Sequence, residues 1–254
     1  MIKINYKFFM PKIRLYLENK IIQDNEIQMS KNESHYLINV MRKTRGDIIY
    51  IFNQNDGEWK AVLKTDKFVK INPLERIKKP PFISFDICLC FSLVKQKKIN
   101  LIVEKISEIG VNQIQPFTSE YSIKTKINLP RLLKISKESV EQSEGLFLPK
   151  IYETKKLQNI LDGIDEDRIV VVCDENNKSP IWNEIEKIQL NKITIFVGPV
   201  GGWSFKEREI FRKKKNCILV SLGNKLLKSE TACIFALSCF TANKFSKLGY
   251  QNVD

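Results

Sequence analysis

The chain has 254 residues, 42 Lys and Arg against 29 Asp and Glu, a formal net charge of +13, and 43% hydrophobic residues. That length fits one large domain or two modest ones, and the apolar content supplies a core rather than a disordered chain. So large a positive excess points to a polyanionic partner, nucleic acid before a membrane surface; an AT-rich genome that enriches Lys, Ile and Asn accounts for the same composition without one.

Residues 1–11 carry lysines but no apolar block of secretory length. The longest apolar stretches, such as 82–90, are strand-sized and far short of the roughly 20 residues that cross a bilayer. A cytoplasmic location without membrane attachment is expected. The six cysteines (Cys88, Cys90, Cys173, Cys217, Cys233, Cys239) form no C-x-x-C pair, and most sit in apolar runs, the pattern of buried reduced thiols. A single histidine, His35, argues strongly against a His-based metal site or a Ser-His-Asp triad, and no metal is expected.

In chain order, the first 77 residues read as β-rich. Strands are expected over 14–17, 26–29 and 48–52, then over 58–63 after an Asn55-Asp56-Gly57 turn, and over 68–71. One helix interrupts them: Ser30-Lys31-Asn32-Glu33 is a capping-box pattern, Leu37, Val40 and Met41 follow at helical spacing, and Arg45-Gly46-Asp47 stops it. A small barrel is the architecture implied. Lys78-Lys79-Pro80-Pro81 is the clearest linker, since paired prolines break both regular structures.

A second domain is expected over 82–254, with strands and helices alternating. Strands are predicted over 82–91, 111–117, 168–174, 193–197 and 217–221. Helices are predicted over 99–109, capped by a left-handed Gly110, and over 131–143; others start with Pro180, at Phe205 and at about Thr231. Such alternation builds a mostly parallel sheet covered on both faces.

Three segments are candidates for chemistry, since ligands collect where parallel strands end. Gly198-Pro199-Val200-Gly201-Gly202-Trp203-Ser204 follows a strand, and its glycines permit close backbone approach to a ligand, with amides entering the next helix pointing outward. A tight turn without a ligand is the competing reading. The loop is neither a dinucleotide fingerprint nor a P-loop, so nicotinamide and ATP chemistry lose support. The second segment is 221–232, with Gly223 ending a strand and Ser229 placed to cap a helix. The third is 104–111, where Lys105 and Glu108 by themselves read as a solvated ion pair.

Taken together, Lys105–Val111, Glu138-Ser139-Val140-Glu141-Gln142-Ser143, 198–203 and 222–232 resemble, in order and spacing, the small-subunit ribosomal RNA methyltransferases that modify N3 of a uridine, within the knotted SPOUT superfamily. Arg14-Leu15-Tyr16, His35-Tyr36-Leu37 and Val40-Met41-Arg42 match that family's N-terminal motifs, so the likeness covers nearly the whole chain. It implies a PUA-like barrel over 1–77 and a trefoil-knotted α/β domain over 82–254. It also implies S-adenosylmethionine as methyl donor, a homodimer, and small-subunit ribosomal RNA or a ribosomal particle as partner. By the same resemblance, Gly198, Pro199, Gly201, Gly202, Leu222, Gly223, Asn224 and Leu227 would cradle the donor, Lys228 would stabilise negative charge on the base, and Glu230 would orient the base or accept a proton. Glu230 reads equally as an acid favoured by a helix dipole. Arg14, Arg42 and Lys105 are candidates for contacting RNA, Arg42 reading equally as an exposed charge at a helix end. The chain departs from the family at Val200 (an acid there), at Lys228 (an arginine), at Gly145 and at Tyr121 (arginines). These departures leave open an RNA-binding or assembly protein that has lost turnover, or a knotted methyltransferase acting on another nucleotide.

Overall fold

The computed structural model describes residues 12–64, 68–81, 85–188 and 191–248, the side chains of 244–248 excepted. Residues 1–11, where no secretory segment is expected, and 82–84, the start of the strand expected over 82–91, lie outside these. The chain divides into two units, 1–81 and 82–254.

The first unit holds five strands: β1 (Arg14–Tyr16), β2 (Ile27–Gln28), β3 (Ile48–Asn53), β4 (Gly57–Leu63) and β5 (Lys70–Lys78). They form one sheet in the order β1-β3-β4-β5-β2, with β1–β3 parallel and the other pairs antiparallel. The β3–β4 hairpin needs its glycine. Gly57 has φ +80, and a Cβ there would overlap the Lys78 carbonyl. Asn53 closes the turn, its Oδ1 accepting from the Asn55 and Asp56 amides at 3.0 and 2.7 Å. Strand β5 starts later than expected and runs on to Lys78, into the expected linker. Pro73, which has no amide hydrogen, is tolerated because it pairs with Ala61 beside a register shift.

The Ser30 capping box forms as expected and starts α1 (Lys31–His35). A π-helical turn over Tyr36–Val40 follows, with the Met41 amide donating to the Tyr36 carbonyl at 2.9 Å. That wider turn breaks the expected stripe: Leu37 is fully buried while Val40 is exposed. Leu37 joins Leu15, Ile49, Ile51, Leu63 and Ile71 in the core of this unit.

In the second unit the elements run β6 (Asp86–Ser92), α2 (Gln96–Ile109), β7 (Gln113–Thr118), α3 (Leu129–Gln142), β8 (Lys150–Ile151), β9 (Lys155–Lys156) and α4 (Leu157–Asp162). They continue with β10 (Ile169–Cys173), α5 (Ile181–Ile185), β11 (Lys192–Val197), α6 (Phe205–Lys213), β12 (Cys217–Val220) and α7 (Ser229–Leu248). The short β8, β9 and α4 were not anticipated; two-residue strands and a six-residue helix carry too little periodicity to read. Gly110 does take a positive φ, +95, but with ψ 105 it is extended rather than left-handed helical. Helix α7 begins at Ser229 itself, and the Lys228 carbonyl accepts from the Ala232 amide at 2.8 Å, so Ser229 is not the cap.

The sheet is parallel throughout, in the order β12-β10-β11-β6-β7-β8, with β9 also pairing β7. Its inner strands are apolar on both faces, as double coverage requires. On one face Ile87, Leu89, Phe91, Val171 and Ile195 pack against Ile99, Ile102 and Ile106 of α2 and Ala236, Leu237 and Phe240 of α7. On the other, Cys88, Cys90, Val170, Val172 and Phe196 pack against Leu157, Leu161, Trp203 and Phe211. Burying each large apolar side chain contributes about 1.5–3 kcal/mol. The β-branched run of β10 lies one strand in from the edge, between β11 and β12.

That order sets the site. Cys173 pairs with both Val197 and Val220, so the carboxyl ends of β10, β11 and β12 lie side by side. The chain leaving β12 runs along the segment after β10: the Ser221 amide donates to the Ser179 carbonyl at 2.7 Å, and the Ile181 amide to the Ser221 carbonyl at 2.9 Å.

Candidate active site

At these strand ends lies a cavity of about 660 Å³, lined by the loops after β10, β11 and β12 and by Lys98 of α2. It falls within the ordinary size range of small-molecule sites. Of the residues expected to cradle a ligand, Gly198, Pro199, Gly201, Gly202, Leu222, Gly223 and Leu227 line it, as does Lys228. Asn224 is exposed and is not among the lining residues.

The glycines serve different ends. At Gly198 a Cβ would fall 2.8 Å from Cε2 of Trp203, so this glycine makes room for the indole. Trp203 cannot yield: it stacks on Phe117 with centroids 5.8 Å apart, meets Phe211 edge-on at 4.8 Å, and donates its Nε1–H to the Cys173 carbonyl at 2.8 Å. Gly202 takes φ +73, and a Cβ there would collide with the Glu175 carboxylate. The outward-pointing amides expected here are occupied within the protein. The Gly202 amide donates to the Pro199 carbonyl at 2.9 Å, and the Ser204 amide to Glu207 in the capping box that starts α6.

A charged network anchors the loop. Arg208 donates from Nε to Asp174 Oδ2 at 3.0 Å and from Nη2 to Asp174 Oδ1 at 3.1 Å, and it also bonds the Trp203 carbonyl and Glu175. Asp174 is buried, so this two-pronged geometry compensates a desolvated carboxylate, and the bond to Asp174 raises the Arg208 pKa further. Asp174, Glu175, Arg208 and Lys98 were not singled out in the sequence. The only signal was an acid pair ending the β-branched run 169–173. Cys173 also lines the cavity, but burial pushes its thiol up to about 12, which keeps it protonated and inert.

Glu230 stands behind the cavity rather than in its lining, its carboxylate 3.1 Å from the Lys98 ammonium. Burial works to raise its pKa; its own backbone amide, Lys98 and the charge of Lys228 outweigh that and hold it below the usual carboxylate value. It is therefore an ionised anchor for Lys98 and a weak base at neutral pH.

The RNA candidates diverge. Arg14, expected at a phosphate or base, is corrected: its side chain is 1% exposed, its Nε donates to the fully buried Glu58 at 2.9 Å, and its guanidinium lies over the Phe52 ring. An arginine that opens a strand within reach of a buried acid is drawn into the core. Lys105 is held by Glu104 and Glu108, each at 2.8 Å, which raises its pKa. Arg42 is exposed, at φ +52 where the helix ends. Of the departures, Val200 and Lys228 line the cavity, Val200 with its side chain in solvent, and Tyr121 packs against the lining residue Gly201. Gly145 lies past the end of α3, where a Cβ would approach Val140 at 3.1 Å.

Fold and cavity together define a parallel α/β domain with a ligand-sized cavity at its strand ends, following in sequence a small β-rich domain. Residues 82–241 match the family described as RNA methyltransferase domain, and 30–74 match the RNA methyltransferase PUA domain. The chain belongs to this RNA methyltransferase family. It is 29% identical over 230 residues to ribosomal RNA small subunit methyltransferase E of Rickettsia conorii, covering 89% of this chain and 93% of that one. It is 30% identical to ribosomal RNA small subunit methyltransferase E 2 of Borreliella burgdorferi, covering 82% and 87%. Among solved structures, ribosomal RNA small subunit methyltransferase E of Neisseria gonorrhoeae, bound to S-adenosyl methionine, superposes with a TM-score of 0.81 at 22% identity, covering 93% of this chain and 98% of that one. No helix among the described residues is long and apolar enough to cross a membrane.

Proposed function

We propose that this chain is a cytoplasmic, homodimeric enzyme that uses S-adenosylmethionine to methylate N3 of a uridine in small-subunit (16S) ribosomal RNA, free or within a ribosomal particle. The observation that carries this reading is the convergence of two glycine-bearing turns, 198–202 and 222–223, on one cavity with Lys98, Lys225 and Lys228 on its wall. The cavity fits the donor. Val197, Leu222 and Leu227 offer apolar walls for a flat ring, and the Glu175 carboxylate stands beside Gly202 for a polar or cationic group.

When bound, the donor would supply an electrophilic methyl carbon on a sulfonium, with a neutral thioether as its leaving group. The chain's own residues do the rest. The apolar walls and the Trp203-backed loop exclude water and fix approach. Lys228 places a cation where charge spreads onto the carbonyls of the N3-deprotonated base. Glu230, held ionised, keeps Lys98 on the wall rather than taking the N3 proton.

The test is nucleoside mass spectrometry of small-subunit RNA from cells with and without the protein, joined to calorimetric titration of donor into the pure chain. Loss of N3-methyluridine with the protein is expected. A methyl mark at another nucleotide would move the reading to a different acceptor. Donor binding without any mark would leave an RNA-binding assembly protein, a possibility raised by Val200 at the cavity rim.

A further inference from the structure

The loop after β7, residues 119–128, is fixed with more polar bonds than a surface connection needs. Ser92, fully buried, bonds Ser119 at 3.1 Å and Ser122 at 2.7 Å; Ser119 and Ser122 bond each other at 2.8 Å, and the Ser119 amide donates to the Ser122 hydroxyl at 2.7 Å. From the other side, the Glu120 amide donates to Oε1 of Glu207 at 2.9 Å, the buried carboxylate that also caps α6. One loop residue is thus gripped on both flanks: Tyr121. The residue is nonetheless 52% exposed, and a Cβ on Gly201, which lines the cavity, would lie 3.3 Å from its Cβ, so it stands beside the cavity rim. The backbone on both sides of Tyr121 is therefore preset while its side chain stays half in solvent. Exposed Lys124 and Lys126 follow on the same loop.

We infer that Tyr121 is a stacking platform for an unpaired RNA base, holding a nucleotide at the cavity mouth while Lys124 and Lys126 contact its phosphates. The inference rests on the reading of the chain as an RNA methyltransferase and adds a binding residue to it. A stacked aromatic recognises the π-face that every base presents, and a preorganised ring loses little freedom on binding.

The experiment measures binding, not turnover. The full chain, free of donor, is titrated into a hairpin RNA whose unpaired loop carries 2-aminopurine beside a uridine. Tyr121→Ala is expected to weaken affinity about 5- to 150-fold and to abolish quenching of the 2-aminopurine, whereas Tyr121→Phe and Tyr121→Trp keep both within about threefold. The salt slope stays unchanged in Tyr121→Ala, because a neutral ring releases no counterions; Lys124→Ala or Lys126→Ala each lowers it by about one. Thermal melting of every variant separates loss of binding from loss of fold. Unchanged RNA affinity in a folded Tyr121→Ala protein overturns the inference, as does failure of Tyr121→Phe to bind. If cells show no methylated uridine yet Tyr121→Ala still loses RNA, the enzymatic reading falls and the stacking site stands.

Discussion

Substituting Gly198 by alanine tests whether Trp203 or the ligand dictates that glycine. The added Cβ would stand 2.8 Å from Cε2, 3.1 Å from Nε1 and 3.2 Å from Cδ2 of the indole. Carbon atoms ordinarily pack at about 3.5–4.0 Å, so either ring or loop must move by more than half an ångström. The ring is wedged between Phe117 and Phe211 and bonded to the Cys173 carbonyl, so movement there sacrifices a buried hydrogen bond, about 1 kcal/mol, on top of overpacking of about 1–3 kcal/mol. The sum, roughly 2–4 kcal/mol, is to be read by urea denaturation. If instead the loop shifts, stability is spared and the cost appears as weaker donor binding by calorimetry. Gly201→Ala is the control: its Cβ would approach the Tyr121 Cβ at 3.3 Å, a much milder contact than the 2.8 Å clash with the indole. In the Gly198→Ala background, Trp203→Phe should recover part of what the first change lost, since it removes the atoms in conflict. Should Gly198→Ala match the parent in both stability and donor affinity, the argument from Trp203 is wrong.

Three further expectations follow from the charges and thiols. Glu58→Ala strands Arg14 in the core of the first unit and should cost about 3–5 kcal/mol by urea denaturation, whereas a surface role for Arg14 predicts that Arg14→Ala loses RNA affinity at full stability. Glu230, with its folded pKa depressed, contributes stability that is complete above the usual carboxylate value of 4.5 and is lost as pH falls through the lower folded value. Glu230→Gln should therefore flatten the acid side of the stability–pH curve, and an unaltered curve would exclude that contribution. Burial raises the thiols of Cys90, Cys173 and Cys233, so iodoacetamide at pH 8 should label none of the three in the native chain and all three in urea; ready native labelling of Cys173 would contradict its protonated state. By the same shift the unfolded chain, whose thiols ionise near 9, gains on the folded one as pH rises above that value.

Much of this molecule was legible before folding because local rules operate within one element. The capping boxes at Ser30 and Ser204 needed only residues three apart, and both formed. The apolar stripe of α2 and the β-branched run of β10 announced a doubly covered parallel sheet, and the glycine turns announced where a cavity opens. What the sequence could not settle was which side chains meet across elements distant along the chain. Arg14 finds Glu58 forty-four residues on, and Arg208 reaches back thirty-four to Asp174. The first turns an expected RNA contact into a core ion pair, and the second builds the cavity's anchor from residues with no motif. Glu230 was placed at the chemistry by its neighbours in sequence, and Lys98, over a hundred residues earlier, made it an anchor instead. Burial and partner decide the charge and reach of an ionisable group, and both are properties of three-dimensional packing that no periodicity encodes.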